Sequence, residues 1–285
     1  MAPSVLLQDP QWWWWPTGLL DGYGVGVATV LFTVLLEAIS LPTVKAIRRT
    51  VDGRQLYARA VRANVVNNLL IGPPTYCAGV TLLGAAERLP VAAGLRLGVL
   101  MTVGHAMGYY FAHRAMHTRL LFWTHRFHHS FNELVSPVAA NAVSPWEYGG
   151  AYMLPFFILT PVIRPDALAA VFAGCAVSFA NLLIHTPALA AISEMLPDAA
   201  CSTAGHLQHH KQYLRRADIP QIAATSRLRR GYFNETGARI RYTTHYGAST
   251  VSLDAFLKWS PRLERAIDGV FARILGPPLL ARRTS

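Results

Sequence analysis

Nine of the eleven histidines in this chain occur in four groups whose spacing suits metal binding. The groups are His113-x-x-x-His117, His125-x-x-His128-His129, the single His185, and His206-x-x-His209-His210. Neutral imidazole is the commonest metal ligand in proteins, and a helical spacing of three or four residues places two rings on one face. The groups therefore predict a metal centre.

The number of histidines limits the kind of metal centre. A structural zinc ion is closed by four ligands, and a catalytic zinc usually takes three ligands and a water. Nine imidazoles exceed what one such ion can use, whereas two ions would use the whole set. Imidazole suits iron, zinc, copper and nickel alike, so the sequence argues for two metals and not for their identity.

The segments between the histidines predict an all-α, polytopic membrane bundle. The chain has 285 residues, of which 52% are hydrophobic and 14% charged, and its apolar residues form long runs. A span needs about 20 mostly apolar residues to cross roughly 30 Å of hydrocarbon. We predict four spans and a half-span, at Gly22–Val44, Val65–Leu83, Val91–Ala112, Pro165–Ile184 and, for the half-span, Gly149–Ile163.

The distribution of basic residues predicts the orientation of this bundle. No Lys or Arg precedes Lys45, and residues 45–62 then carry six of them. Such clustering next to a span is typical of a cytoplasmic segment. With this segment in the cytoplasm, the predicted spans return all four histidine groups to that side, so we expect an integral membrane protein with a cytoplasmic helical cap that carries the histidines.

The net charge of +11 is explained by the same rule and does not require nucleic acid. No basic stripe with interleaved aromatic residues is present, as single-strand binding would need. Anionic lipid headgroups are the expected counter-surface. The basic segment 211–241 is predicted to be a cap or lid that docks an acidic electron donor, grips an anionic headgroup, or is simply a solvated face.

Four further polar residues lie near the predicted site. For Glu37 we favour an interhelical hydrogen bond over a role in lining a pocket. For His105 we favour a buried hydrogen bond over metal binding, because no second ligand accompanies it. Asn181 shares a helical face with His185, and it either supports that ligand or makes an ordinary interhelical hydrogen bond. His245 is either an additional ligand or a nearby base.

The order of the histidine groups, with Tyr109-Tyr110-Phe111-Ala112-His113-Arg114 before them, resembles the fatty acid hydroxylase and sterol desaturase superfamily over about residues 105–250. Its members are membrane enzymes with a histidine-bound dimetal centre, normally di-iron, that use O2 to hydroxylate or desaturate hydrocarbon. Two motifs differ from the family pattern. Ser144-Pro145-Trp146-Glu147 stands where many members have His-Pro-x-Glu, and His245-Tyr246-Gly247 stands in place of Asn-Tyr-Gly.

The resemblance implies nine metal ligands: His113, His117, His125, His128, His129, His185, His206, His209 and His210. It implies two iron ions, O2 as co-substrate and a lipid-like or other hydrophobic substrate. It also implies three regions, namely an N-terminal transmembrane region (1–104), a dimetal catalytic domain (105–250) and a C-terminal cytoplasmic helix or tail (251–285). Hydroxylation and desaturation stay open, because both begin with the same hydrogen abstraction.

The oxidation needs two electrons, and the chain has no haem signature, flavin loop or cysteine cluster to supply them. We therefore expect an external electron donor, either a ferredoxin or a cytochrome b5-like protein. Two alternatives remain, a membrane zinc-dependent hydrolase and a metal transporter. A hydrolase would call for a carboxylate inside a histidine group, and a transporter for ligands near the bilayer midplane. Neither feature is found in the sequence.

Overall fold

The computed structural model describes residues 15–83, 88–118, 120–131, 134–193, 203, 206–207, 210 and 261–276. This part of the chain is mostly helical and contains no β-strand. The α-helices are α1 (Trp15–Ile39), α2 (Leu41–Ile47), α3 (Val51–Val65), α4 (Gly72–Leu82), α5 (Val91–Met116), α6 (Phe122–His125), α7 (Pro145–Glu147), α8 (Leu154–Ile163), α9 (Ala167–Ile184), α10 (Ala190–Ser193) and α11 (Pro261–Leu275). The prediction of an all-α fold is confirmed for these residues.

Three helices of the described chain are long and apolar enough to cross a membrane. They are Pro16–Ile39 within α1, Val91–Met116 (α5) and Ala167–Ile184 (α9). Apolar side chains on the outer face of α1, such as Leu31 and Val34, are more than 60% exposed, as contact with lipid would require. These features indicate a membrane protein.

The first span differs in its limits from the prediction of Gly22–Val44. The helix begins at Trp15 and ends at Ile39, and a separate helix starts at Leu41. Pro42 lies in the first turn of α2, where its missing N–H group is tolerated. In a continuous helix the same proline would remove a hydrogen bond and clash with the preceding turn, so α1 stops before it.

The second predicted span, Val65–Leu83, is helical but not one regular α-helix. A π-helical turn, Val66–Ile71, lies between α3 and α4, and Gly72-Pro73-Pro74 follows it. The π-helical turn widens the helix where the prolines cannot continue the α-helical hydrogen bonds. The count of four spans stays a prediction, as do the three domain boundaries.

The predicted half-span is helical from Pro145 to Ile163 and contains a second π-helical turn, Tyr148–Met153. The chain then reverses at Arg164, which has a positive φ of 51°, and α9 begins. Asp166 caps α9 through the N–H group of Ala169 and also accepts the N–H group of Leu89. This buried carboxylate ties the start of α9 to the start of α5.

The long helices α1, α4, α5, α8 and α9 pack against one another, and the histidine-bearing segments lie at one end of α5 and α9. Small residues allow close packing: a side chain on Gly104 or Gly108 would press into Leu159 or Pro155 of α8. Gly104 and Gly108 are therefore packing residues of the contact between α5 and α8.

Glu37, at the end of α1, makes the interhelical hydrogen bonds that were expected of it. Its carboxylate accepts the Tyr57 hydroxyl of α3 at 2.8 Å and the backbone N–H group of Val138 at 2.7 Å. Val138 lies in a 3-10 turn, Pro137–Asn141, directly beside the histidines. Glu37 therefore fixes this turn to the bundle.

Candidate metal centre

The structure gathers eight of the nine predicted histidine ligands into two groups of four. The first cluster consists of His113, His117, His125 and His129, and the second cluster of His128, His185, His206 and His210. Within each cluster one nitrogen per ring lies within 4.8 Å of all the others. Every ring is at most 4% exposed. His209 and His245 lie outside the described residues.

The first cluster is built by the end of α5 and the short segment that follows it. His113 lies in the last turn of α5 and His117 is its C-cap residue. His125 ends α6, and His129 lies in the 3-10 turn His128–Phe131. The Nε2 atom of His113 lies 2.9 Å from that of His125 and 3.2 Å from that of His117.

The second cluster joins segments that are far apart in sequence. His185 is the C-cap residue of α9, and His206 and His210 are spaced four residues apart. The Nε2 atom of His185 lies 2.8 Å from that of His206 and 3.2 Å from that of His128. All of these contacts join Nε2 atoms, so the rings point the same nitrogen towards a common centre.

The motif His125-x-x-His128-His129 is shared between the two clusters. His125 and His129 face the first cluster, whereas His128 faces the second. The segment is not one helix, because α6 ends at His125 and the 3-10 turn begins at His128. The clusters therefore touch: the ring centroids of His125 and His128 are 4.9 Å apart, and those of His129 and His210 are 4.5 Å apart.

Hydrogen bonds at the outer nitrogens define how two of these rings are protonated. His128 Nδ1 donates to the Ala139 carbonyl at 3.0 Å, and His185 Nδ1 donates to the Asn181 carbonyl at 2.6 Å. Because a neutral ring carries one proton, the Nε2 atoms of both rings then present lone pairs. The lone pairs of these two Nε2 atoms face each other at 3.2 Å and repel, whereas a cation between them would be bound by both.

The dimensions of each cluster fit a metal ion. Metal–imidazole bonds are about 2.0–2.1 Å long, so two nitrogens on opposite sides of one ion lie roughly 4.2 Å apart. The observed nitrogen separations of 2.8–3.4 Å within the second cluster agree with ligands that share one ion. Each cluster offers four nitrogens, and an all-imidazole set suits iron, zinc or copper.

Burial keeps these imidazoles in the neutral form that binds metal. It lowers the pKa of His185 to about 4, and it lowers the pKa of His128 and His129 well below the usual 6.5. Neighbouring histidines lower the pKa values of His128 and His129 further, because two positive rings would repel each other. The same holds for His117, His125, His206 and His210. At neutral pH the ligand set is therefore ready for a cation.

Glu147 lies beside the first cluster, and its role was not predicted from the sequence. Its Oε1 atom lies 2.6 Å from His125 Nδ1, and both side chains are fully buried. Burial raises the pKa of this carboxyl well above its usual range. A carboxylate behind a ligating histidine fixes the ring and makes it a stronger ligand. The sequence does contain a signal for the position of Glu147, because Ser-x-x-Glu is the pattern of a capping box at the start of a helix. Ser144 accepts the backbone N–H group of Glu147, as this pattern predicts.

The other candidates lie outside the two clusters. His105 Nε2 donates to the Tyr152 carbonyl at 2.8 Å, as expected of a buried hydrogen-bonded histidine. The Asn181 amide donates to the Ala140 carbonyl and to the Tyr152 hydroxyl, both at 3.2 Å. It therefore makes ordinary tertiary hydrogen bonds, while the backbone carbonyl of the same residue supports His185.

A cavity lies between the helices next to the second cluster. It is lined by residues of α1, α4, α5, α8, α9 and both π-helical turns, among them Asn181, whose carbonyl holds His185. Its volume of about 70 Å³ exceeds the roughly 10–15 Å³ that one water needs. Tyr152, which also lines it, contacts Tyr109, and the Tyr109 ring lies 5.3 Å from that of His113. Asn181 therefore lies between the cavity and the second cluster, and Tyr152 and Tyr109 lie between the cavity and the first cluster.

Comparison with known proteins supports the resemblance that the histidine motifs suggested. Residues 98–218 match the model of the fatty acid hydroxylase family, which is part of the sterol desaturase/fatty acid hydroxylase superfamily. The matched segment contains all eight clustered histidines and Glu147. No curated protein and no solved structure matches the chain. This family implies an oxidoreductase.

Proposed function

We propose that this chain, with its fatty acid hydroxylase family segment, is a membrane-bound non-haem di-iron oxygenase that hydroxylates or desaturates a C–H bond of a hydrophobic molecule. The observation that carries the proposal is the pair of adjoining four-histidine clusters with their Nε2 atoms turned inward. In this proposal the first cluster and the second cluster each hold one iron ion, with His209 and His245 as further candidates. Iron and O2 supply the oxidising power that side chains lack.

The protein's own contribution is to orient the ligands and to keep water away. Glu147, the Ala139 carbonyl and the Asn181 carbonyl each accept an Nδ1 proton, one from His125, one from His128 and one from His185. These hydrogen bonds hold the rings with their Nε2 atoms facing the metal. The rings are buried, and the apolar walls of the cavity would exclude water from a substrate C–H bond.

The electron donor is proposed to bind at the basic segment 45–62. Helix α3 packs against the 3-10 turn Pro137–Asn141 beside the histidines, and the Arg59 guanidinium lies 5.0 Å from the centre of the Phe127 ring, next to His128 in the chain. Arg59 and Arg62 are exposed. An acidic donor would be attracted to this surface. Arg229 and Arg230, in the second basic segment, lie outside the described residues. We place this face in the cytoplasm by the positive-inside rule.

This docking proposal predicts a salt-sensitive reduction step. Changing Arg59 and Arg62 to Gln should slow reduction of the iron by an acidic ferredoxin, most clearly at low salt, because exposed charges are screened as ionic strength rises. Arg96→Gln is the matched control, since it lies about 25 Å along α5 from His113 by the helical rise. Equal rates in all three proteins, measured by stopped-flow absorbance, would exclude this docking surface.

Metal analysis tests the proposed function. We expect about two irons per chain after anaerobic reconstitution in detergent, and about one in each of His125→Ala and His128→Ala, which remove a ligand from different clusters. His105→Ala, a buried histidine outside both clusters, should keep both irons. A wild-type protein that binds only zinc, or retains no metal after reconstitution, would contradict the proposal. The hydrolase and transporter alternatives are not favoured by the family match.

A further inference from the structure

We infer that the cavity selects a hydrophobic substrate that carries a neutral hydroxyl group, in preference to a plain hydrocarbon or a free fatty acid. This inference rests on the proposed function for its account of what happens to the bound molecule. It is carried by a separate observation, the polar atoms that line the cavity.

Four buried polar atoms on the cavity wall have no hydrogen-bond partner among the described residues. They are Tyr76 Oη, His105 Nδ1, Asn141 Nδ2 and Asn181 Oδ1. Each of these side chains is at least nine-tenths buried. A buried polar group without a partner costs about 1–3 kcal/mol, and such groups are rare in folded proteins. Four of them around one cavity indicate that a ligand provides their partners.

The four atoms belong to one connected wall. His105 donates through Nε2 to the Tyr152 carbonyl, and Asn181 donates to the Tyr152 hydroxyl. Asn181 also donates to the Ala140 carbonyl, next to Asn141 in the chain. The Tyr76 ring packs against Phe156, which lines the same cavity, with ring centroids 5.8 Å apart. Four segments of the fold therefore contribute these four side chains to the lining of one cavity.

The set contains both donors and acceptors. Tyr76 Oη and Asn141 Nδ2 carry hydrogens to donate. His105 Nδ1 and Asn181 Oδ1 can only accept, since the ring proton of neutral His105 is on Nε2 and donates to the Tyr152 carbonyl. A ketone or ether would satisfy only the donors, and an alkane neither kind. A hydroxyl group donates one hydrogen bond and accepts two, so it satisfies both kinds.

The charge of the wall excludes an ionised headgroup. No Lys, Arg, Asp or Glu is present among the described residues that line the cavity. A carboxylate or an ammonium placed here would lose its hydration without gaining an opposite charge, which is strongly unfavourable. A free fatty acid or a choline headgroup is therefore a poor ligand for this wall, whereas a neutral alcohol is a suitable one.

The test compares three probes with the same chain, namely n-dodecanol, n-dodecane and dodecanoate. Binding to the iron-loaded, full-length protein in detergent is measured by calorimetry under anaerobic conditions, so no turnover is needed. We expect n-dodecanol to bind roughly tenfold or more tightly than either of the others, the worth of about one satisfied hydrogen bond. Equal affinities, or a preference for dodecanoate, would overturn the inference.

A matched pair of tyrosine variants assigns the effect to this cavity. Tyr76→Phe removes a hydroxyl that has no partner in the described part of the chain, so it should leave the thermal stability unchanged or raised and weaken n-dodecanol binding without affecting n-dodecane. Tyr57→Phe removes a hydroxyl bonded to Glu37, so it should lower the stability and leave the alcohol preference intact. An alcohol preference that is undiminished in Tyr76→Phe would overturn the assignment.

The binding assay separates failure of this inference from failure of the proposed function. A protein that binds two irons and consumes O2 but shows no alcohol preference would refute the substrate class alone. A protein that prefers the alcohol but holds no iron would refute the oxygenase. The second result would also show that the cavity binds a ligand for some other purpose.

Discussion

Replacing Glu147 should weaken metal binding at the first cluster and leave the second cluster nearly unchanged. The carboxylate lies 2.6 Å from His125 Nδ1, and both side chains are fully buried. Burial alone favours the neutral acid, but a cation bound at His125 favours the charged carboxylate. A hydrogen bond to a charged group contributes about 1.5–3 kcal/mol, and each 1.4 kcal/mol is a factor of ten. Glu147→Ala should therefore lower the iron affinity of this cluster roughly ten- to hundredfold. Glu147→Gln, which keeps an oxygen acceptor, should have a smaller effect.

The assay is the amount of iron that the purified protein retains against a graded series of chelator concentrations. In the wild-type protein both irons should resist the chelator together, whereas in Glu147→Ala one iron should be lost at a lower chelator concentration. In a His125→Ala background, which already lacks the first site, the same substitution should have no further effect. This cycle isolates the coupling between the two residues.

A second buried carboxylate provides the control. Asp166 is 2% exposed and caps α9, but no contact with a histidine is described for it. Asp166→Asn should lower the thermal stability and leave the order of iron loss as in the wild type. If Glu147→Ala loses both irons together, or if Asp166→Asn reproduces its pattern, the carboxylate acts on the fold and not on His125, and the reasoning fails.

Three further predictions follow from the contacts around the site. Glu37→Gln should destabilise the protein by about 1–3 kcal/mol, because the Val138 N–H group loses a charged acceptor; thermal unfolding in detergent measures this. Gly26→Ala should prevent folding, because a side chain there would collide with a backbone carbonyl of the first π-helical turn, whereas Gly24→Ala meets no atom and should be tolerated, as expression and size-exclusion profiles would show. The metal-free protein should lose stability as the pH falls from about 6.5 to about 4, because His185 binds a proton in the unfolded chain but stays neutral in the buried site. The free energy of unfolding should fall by about 3 kcal/mol from this ring alone, and a melting temperature independent of pH in this range would contradict the burial argument.

The sequence predicted that the histidines would come together but not how they would divide into two clusters. The number of histidines indicated two ions, and the described histidines form two clusters. The motif that begins at His125 suggested one helical face, yet His128 and His129 lie in a 3-10 turn and face different clusters. Which ring joins which cluster depends on the path of the chain between α6 and this turn, and spacing alone does not define that path.

Contacts between residues that are far apart in the sequence could not be predicted from it either. Glu147 was visible only as part of a motif that differs from the family pattern, and its role follows from its distance to His125. By contrast, the roles favoured for Glu37 and His105 were confirmed, because burial of a single polar group in an apolar helix leaves hydrogen bonding as the usual outcome. The orientation in the membrane, the substrate and the electron donor stay predictions.

The π-helical turns make the cavity wall tolerant of a change in chain length at one particular place. A π-helical turn is an α-helix that holds one residue too many, so removing one residue from Val66–Ile71 would restore a regular α-helix. The residues after the turn, Tyr76 among them, would keep the faces that they now present. A deletion within the regular helix α4 would instead rotate every later residue by about 100° around the helix axis. Loss of a residue should therefore preserve the lining of the cavity when it falls in the turn and alter that lining when it falls in α4.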